Sequence, residues 1–477
     1  RVQAVILNQQ LARGIASNRL IRRLNRLVRR HPGRVFVVDS RNRSEHFKNV
    51  VYRFNAHEAA RLCGRAHPLD QGVLLEDAVA FARRIARQSR RPVFISRGDR
   101  GAVVAAGRSL DIIPGIQTMG KTDPVGAGDP SVSALSAALA VGATPLEAGR
   151  LANFASAVTV QKIKTTGTAS PAEILAIGRS PDYVYRPELA SDPRAARYWK
   201  KTEIEIVSAD WPRGRVRHAL FDHDGTISTL RQGWEPIMLG VCTRAIMGPA
   251  FQTADETVYS RVANRVREYI SRSTGIQTIE QMRMLADLVR EFGFVPARQI
   301  RDAAGYKKIY LRALMEIVGR RVAKLNRGEL DVEDFTIKGA VGFLQMLRQR
   351  GVRLYLASGT DHQDVVREAK ALGYAGLFNG GIYGAVDSAG QDAKKQVIES
   401  LFRDRRLAGP ELACFGDGPV ELREAKKRGG IAVGIASDEV RRHGIIQEKR
   451  ARLICAGADL VLPDFTQRAA LLRCLLG

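Results

Sequence analysis

The sequence predicts an α/β protein: two parallel-sheet domains in series, the second interrupted by a helical insertion. Three observations carry that expectation. Short apolar runs alternate with helix-spaced stretches through residues 1–178 and again through 215–477, as in chains of β–α–β units. Between them, residues 179–214 carry Pro181, Pro187, Pro193 and Pro212 among many charges and read as a linker. Residues 230–335 keep helix-like apolar spacing with few strand runs, which marks the insertion.

Composition bounds the function. The chain has 477 residues, 45% hydrophobic and 26% charged, enough for several cores. No apolar run approaches the ~20 residues of a membrane span, and no signal-peptide core is seen near the start. The five cysteines (Cys63, Cys242, Cys414, Cys455, Cys474) are scattered, without CxxC spacing. This argues against a disulfide framework or structural zinc, and fits a reducing cytoplasm. The net charge of +26 comes mostly from arginine spread through every segment. Dispersed charge favours phosphate-handling sites over a nucleic-acid surface. The first residue is Arg1, so a fragment or processed product is expected. The oligomeric state is not legible.

In the first stretch the expected strands are Ala4–Leu7, Val35–Val38, Val93–Ser96 and Ala102–Ala106. Further on stands Lys121-Thr-Asp-Pro-Val-Gly-Ala-Gly-Asp-Pro-Ser131. Gly126 and Gly128 let backbone amides approach an anion, and the run Ser131–Leu139 looks helical, so a helix N-terminus backs the turn. Asp129 sits where a hydroxyl could lose its proton to it. Neither GxxxxGK[ST] nor GxGxxG occurs, which leaves Walker and Rossmann sites unsupported.

This segment resembles the DTxGAGD signature of ribokinase-type (PfkB) carbohydrate kinases, with Pro124 in place of the usual Thr. Asn55-Ala-His-Glu58 is similar to that family's NxxE element, and Ser96-Arg-Gly-Asp-Arg-Gly101 to its nucleotide-side strand end. The resemblance implies a partial ribokinase-like domain with Asp129 as catalytic base. It implies that the amides of Gly126, Ala127 and Gly128 hold phosphates of ATP, that Glu58 partners Mg²⁺, and that Asn153 lines the adenine pocket, with Gly167 closing the fold. The match starts in the second half of the family's domain, so the sugar-binding half would precede Arg1. The segment Val5–Gly14 lacks the acid found in the family's sugar-side loop. The chain by itself is therefore expected to phosphorylate no sugar.

In the second domain, His218-Ala-Leu-Phe-Asp-His-Asp-Gly-Thr-Ile-Ser228 delivers Asp222 and Asp224 to the carboxyl end of a strand, the ligand end of open α/β sheets. Two carboxylates on a turn that Gly225 lets bend can divide labour, one attacking and one moving a proton. At a second strand end stands Ser358-Gly359-Thr360, whose hydroxyl can hold a phosphate oxygen. Lys394 and Lys395 open a helix, where an amine neutralises phosphate and carboxylate. Phe415-Gly-Asp-Gly-Pro-Val-Glu421 adds two acids, and with Asp222 makes an oxygen-rich set suited to Mg²⁺.

The ordered set resembles the four motifs of the haloacid dehalogenase (HAD) superfamily and covers 215–477. It implies a Rossmannoid core with a helical cap. The resemblance assigns Asp222 as the nucleophile that becomes an aspartyl-phosphate, and Asp224 as general acid/base. Ser358, Gly359 and Lys394 bind phosphate, and Asp222, Asp224, Asp417 and Glu421 hold Mg²⁺. Lys394 is preferred to Lys395 because Val397 and Ile398 then fall at the usual offsets. Dehalogenases of the superfamily lack the second aspartate, so Asp224 favours phosphoryl transfer. In the cap, Ser273–Thr278 is expected to contact substrate and Trp234 to pack at the hinge. The side chain of His223 is expected to point away from the site.

The expected function is an Mg²⁺-dependent phosphatase for a small phosphomonoester such as a sugar phosphate, fused to a PfkB-type domain. Two alternatives stand beside it. In one, the protein is mainly a sugar kinase whose second domain tunes its product. In the other, it is a phosphate-sensing or nucleic-acid-associated scaffold, which salt-dependent nucleic-acid binding would reveal.

Overall fold

The computed structural model describes every residue except 1, 12–13, 66, 69, 119–121, 209–210, 212, 275 and 386–392. Lys121, Pro212 and Gly275, used above, lie outside the described residues. The chain divides into two units, Arg1–Glu188 and Leu189–Gly477.

Unit 1 holds a six-stranded sheet in sequential order: β1 (Ala4–Gln9), β2 (Val35–Ser40), β3 (Val51–Asn55), β4 (Val93–Ser96), β5 (Ala102–Ala106) and β6 (Ser109–Ile113). The first four are parallel. Their apolar runs are covered on both faces, by one cluster with Ile21, Phe54, Ala59 and Phe81 and another with Val37, Phe94, Val132 and Leu135. The strand expected at Ala102–Ala106 is antiparallel to its neighbours, which corrects an all-parallel reading. The five residues Arg97–Gly101 are too few for a crossover, so the chain can only turn back. Gly101 makes the turn fit, since a Cβ there would lie 2.0 Å from the Ile113 carbonyl oxygen.

The stretch 179–214, expected as a linker, is built into both units. In unit 1, β7 (Gly115–Ile116) pairs antiparallel with β8 (Tyr183–Val184). In unit 2, β9 (Glu205–Ile206) is an edge strand. The prolines suggested a linker, but Ile204, Val207 and Trp211 are apolar and buried. Glu205 is fully buried against Arg450, which donates to both its carboxylate oxygens at 2.6 Å.

Unit 2 adds β10 (His218–Phe221), β11 (Arg353–Asp361), β12 (Gly381–Ala385), β13 (Leu412–Gly416), β14 (Ile431–Ile435) and β15 (Leu460–Leu462). The strand order is β12-β11-β10-β13-β14-β15-β9, parallel except for β9. The chain leaves β10 for β11 and β12 on one side, then returns to β13 on the other. The β10/β13 boundary is thus a topological switch point, where carboxyl ends open a crevice. Between β10 and β11 lie helices Trp234–Met247, Glu256–Ser273, Thr278–Phe292 and Ala303–Asn326. They enclose an apolar cluster of their own, including Met238, Val266, Met282, Leu285 and Tyr310. The excursion closes where Ser228 bridges Thr336, with Thr229 N–H donating to Phe335 O and Ile337 N–H to Ile227 O.

Candidate active site

Strand β10 is central, with Ala219, Leu220 and Phe221 fully buried. It ends at Asp222, whose N–H still donates to Phe415 O of β13 at 2.9 Å. The chain then folds tightly. Gly225 takes φ 70°, its N–H donates to Ser228 O, and the amides of Ile227 and Ser228 donate to His223 O. A Cβ on Gly225 would sit 2.2 Å from Asp417 Oδ2, so glycine answers both the backbone and the space.

Two further strand ends and a helix meet this turn. At the end of β11, Ser358 Oγ accepts from Thr360 N–H at 3.1 Å, and Thr360 Oγ1 donates to Asp224 Oδ2 at 2.9 Å. Helix Ala393–Arg405 brings in Lys394, whose amine donates to Asp222 Oδ2 at 2.7 Å and Glu421 Oε2 at 2.9 Å. Asp222 Oδ1 accepts from His223 N–H at 2.7 Å. After β13, Asp417 Oδ2 lies 3.1 Å from Lys449 Nζ, which also reaches Glu439 Oε1 at 2.7 Å.

The electrostatics are those of buried, compensated charge. Burial raises the Asp222 carboxyl above its ordinary value; Lys394 offsets part of that, and Glu421 and Asp417 add to it. Burial alone would lower the Lys394 amine, but the two carboxylates hold it well above its usual range. Asp224 goes the other way. Despite burial, His223, Arg231 and the Thr360 hydroxyl draw its carboxyl below the ordinary range. Arg231 is itself buried and clamped by Glu368, with contacts of 2.7 and 3.2 Å.

Asp222, Asp224, Ser358, Gly359, Lys394 and Asp417 line one cavity of about 100 Å³. The cap supplies Trp234, Thr274, Ile276, Thr278, Gln281 and Tyr310. Trp234, expected only as hinge packing, therefore also faces this space, while it packs on the cap's apolar cluster. Of the expected stretch Ser273–Thr278, Gln277 is buried and is not on the wall, whereas Thr274, Ile276 and Thr278 are. Glu421 is also off the wall. It is fully buried, with Oε1 accepting from Gly418 N–H and Oε2 from Lys394. His223 does leave the wall, yet it is not idle: its Nε2 is 2.9 Å from Tyr374 Oη and its Nδ1 3.4 Å from Asp224 Oδ1.

Sequence reasoning missed Arg231, Thr360, Glu368, Glu439 and Lys449. Thr360 carried a signal, since it follows the strand-end serine by two residues. Glu439 and Lys449 carried none, because their distance from any motif hides their approach to Asp417.

Asp222, Asp417 and Glu439 offer the oxygen donors that a hard dication such as Mg²⁺ prefers, and the missing Cβ of Gly225 leaves room for Asp417 Oδ2 itself.

In unit 1, Gly126 takes φ 82° and Asp129 stands in the first turn of helix Gly128–Ala140, where its Oδ1 accepts from Asn8 Nδ2 at 2.7 Å. Glu58 closes a capping box: its Oε2 accepts from Asn55 N–H while Asn55 Oδ1 accepts from Glu58 N–H, both at 2.8 Å. The Asn153 side chain donates to Pro114 O at 2.8 Å. Ala127 precedes the helix. Sequence reasoning missed the pair Asp39–Arg53, 3.1 Å apart. Burial pushes the Asp39 carboxyl up to about 6; Arg53 works against the rise, and Glu58 and Asp129 add to it.

Comparison with known proteins divides the chain the same way. Residues 50–173 match the model of the pfkB family carbohydrate kinases, and residues 216–429 that of the haloacid dehalogenase-like hydrolases. Among solved structures, phosphofructokinase-2 from Escherichia coli in complex with fructose-6-phosphate is 20% identical, with a TM-score of 0.30 over 36% of this chain and 55% of that one. The chain thus spans about half the length of that kinase. A predicted phosphatase from Clostridium acetobutylicum is 15% identical, with a TM-score of 0.35 over 54% of this chain and 98% of that one. For β-phosphoglucomutase from Clostridium difficile the figures are 13%, 0.34, 53% and 92%. No curated protein matches. No helix among the described residues is long and apolar enough to cross a membrane. By the family models, the chain carries a stretch that matches the pfkB family carbohydrate kinases followed by one that matches the haloacid dehalogenase-like hydrolases.

Proposed function

We propose that unit 2 hydrolyses a small phosphomonoester, such as a sugar phosphate, through an aspartyl-phosphate and with Mg²⁺. The observation that carries this is the pairing of two carboxylates on one cavity wall, Asp222 gripped by Lys394 and Asp224 by Thr360. An oxygen of Asp222 attacks phosphorus while the ester oxygen leaves and takes a proton from Asp224. Water then attacks the aspartyl-phosphate, giving its proton to Asp224 and releasing phosphate and free Asp222. The pull of His223, Arg231 and Thr360 on the Asp224 carboxyl favours the anion that accepts the proton of water in the second step. An arriving phosphate dianion raises its proton affinity for the first. Ser358 and Lys394 hold phosphoryl oxygens, and Gly359 lets the cap approach, since a Cβ there would lie 3.3 Å from Ile276 O. Mg²⁺, held by Asp222 and Asp417, would supply charge to offset the phosphoryl oxygens.

A screen over phosphomonoesters with and without Mg²⁺ tests the reading, with Asp222→Asn as control. Turnover by the wild type and none by a folded Asp222→Asn protein is expected. Near-normal turnover by that variant overturns the reading.

For unit 1 we propose that the Gly126–Gly128 turn and Asp129 keep the phosphate side of an ATP site, with Glu58 on its Mg²⁺ side and Asn153 on its adenine side. Titration with ATP tests this: weak binding without sugar phosphorylation is expected of this chain, and no binding at all overturns the proposal.

A further inference from the structure

The cavity holds a carboxylate that none of the sequence motifs contains. Glu439 follows β14, one strand over from β13 and Asp417. Its Oε1 would lie 3.2 Å from a Cβ on Gly225, and Asp417 Oδ2 would lie 2.2 Å from the same point. The two acids therefore converge beside the turn that bears Asp222 and Asp224. Glu421, the acid that motif spacing puts here, is instead engaged by the Gly418 amide and by Lys394.

A cation already bridges the converging pair. Lys449, on helix Gln447–Cys455, places Nζ 2.7 Å from Glu439 and 3.1 Å from Asp417. All three side chains are largely shielded, at 12% exposure for Lys449, 15% for Asp417 and 16% for Glu439. An ammonium group and a divalent cation cannot both sit against Asp417 Oδ2 without strong repulsion at such separations.

We propose that Glu439 belongs to the divalent-cation site and that Lys449 is its resident counter-ion, which withdraws from Asp417 when the metal enters. The inference rests on the metal-dependent phosphatase reading above. Lys449 neutralises the acids in the metal-free protein and competes with the ion, so it sets affinity lower than the carboxylates alone would give. Glu439 draws both cations, and gives Lys449 a partner once Asp417 turns to the metal.

The two side chains make opposite predictions for binding alone. On the full chain, Mn²⁺ binding is followed by the paramagnetic resonance of the free ion and Mg²⁺ binding by calorimetry. Lys449→Met is expected to tighten both by roughly tenfold or more, and Glu439→Gln to weaken both by a similar factor. Lys449→Gln and Glu439→Asp serve if either first variant does not fold, judged by circular dichroism. Unchanged or weakened binding in the Lys449 variant overturns the proposal, as does unchanged binding in Glu439→Gln. Asp417→Asn separates the two levels. If it loses binding while the other variants match the wild type, only the Glu439–Lys449 proposal fails. If the wild type binds neither ion, or Asp417→Asn binds as well as the wild type, the metal reading fails with it.

Discussion

Thr360 Oγ1 donates to Asp224 Oδ2 across 2.9 Å, so the end of β11 holds the acid that follows β10. Thr360→Val removes that donor and leaves the β-branched shape. A hydrogen bond to a charged group is worth about 1.5–3 kcal/mol, which sets an expected fall in kcat of roughly ten- to a hundredfold. Asp224→Asn removes the proton donor itself and is expected to cost ~10²–10⁴-fold. The sign of the pH effect follows from the shift. His223, Arg231 and Thr360 depress the Asp224 carboxyl, so losing one of them raises it. The limb of the pH–rate profile that reports Asp224 should move to higher pH in Thr360→Val, and an unmoved limb would count against this coupling.

Gly225 admits no side chain. A Cβ there overlaps Asp417 Oδ2 at 2.2 Å, and its φ of 70° disfavours other residues. Gly225→Ala should displace Asp417 and lower divalent-cation affinity while unit 2 stays folded. Calorimetry with Mg²⁺ and a urea melt check the two halves of that statement.

Thr278 and Gln277 should part company. Thr278 lines the cavity and Gln277 does not. Thr278→Val is expected to change relative kcat/KM among bulkier phosphate esters more than for a small generic ester, because the cap wall meets the leaving group. Gln277→Ala should change stability more than selectivity. Steady-state kinetics on a panel of esters decides.

Arg450 and Glu205 form a pair with almost no access to water. Arg450→Met strands a buried carboxylate and should destabilise unit 2 by about 3–5 kcal/mol in urea unfolding. Adding Glu205→Gln removes the stranded charge and should restore much of that loss. Arg450 also donates to Leu189 O and Ala190 O, so the double variant is not expected to reach wild-type stability.

Asp39 makes unit 1 sensitive to pH. Burial raises its carboxyl from 3.8 to about 6 in the folded state, so the folded chain binds the proton more tightly than the unfolded one. Stability therefore falls as pH rises through the window from about 4 to about 6 and levels off above it, with an upper bound of about 3 kcal/mol. Urea unfolding across that window, scored on unit 1 fragments after limited proteolysis, should show the slope. Asp39→Asn should flatten it.

The local sequence determined a good deal by itself. Alternation of apolar runs and helical spacing places strands at Val93–Ser96 and Ala102–Ala106, and a helical excursion between Asp222 and Ser358, because burial on a sheet or helix face has a fixed period. Aspartates just past an apolar run land at a sheet's carboxyl edge for the same reason. Spacing even separates Lys394 from Lys395, since Val397 and Ile398 are buried against the sheet and turn Lys394 toward Asp222.

Only the tertiary structure decided what meets across sequence distance. Glu421 matches its motif yet turns to Lys394, because both are buried together and each compensates the other. Glu439 and Lys449 match none, yet β14 and the helix after it carry them to Asp417. The Pro-rich stretch 179–214 is taken into both units because Ile204, Val207 and Trp211 have apolar surface to bury, and because Glu205 finds Arg450 245 residues away. Charge compensation and apolar burial depend on what the fold brings within a few ångströms, and no local pattern encodes that distance.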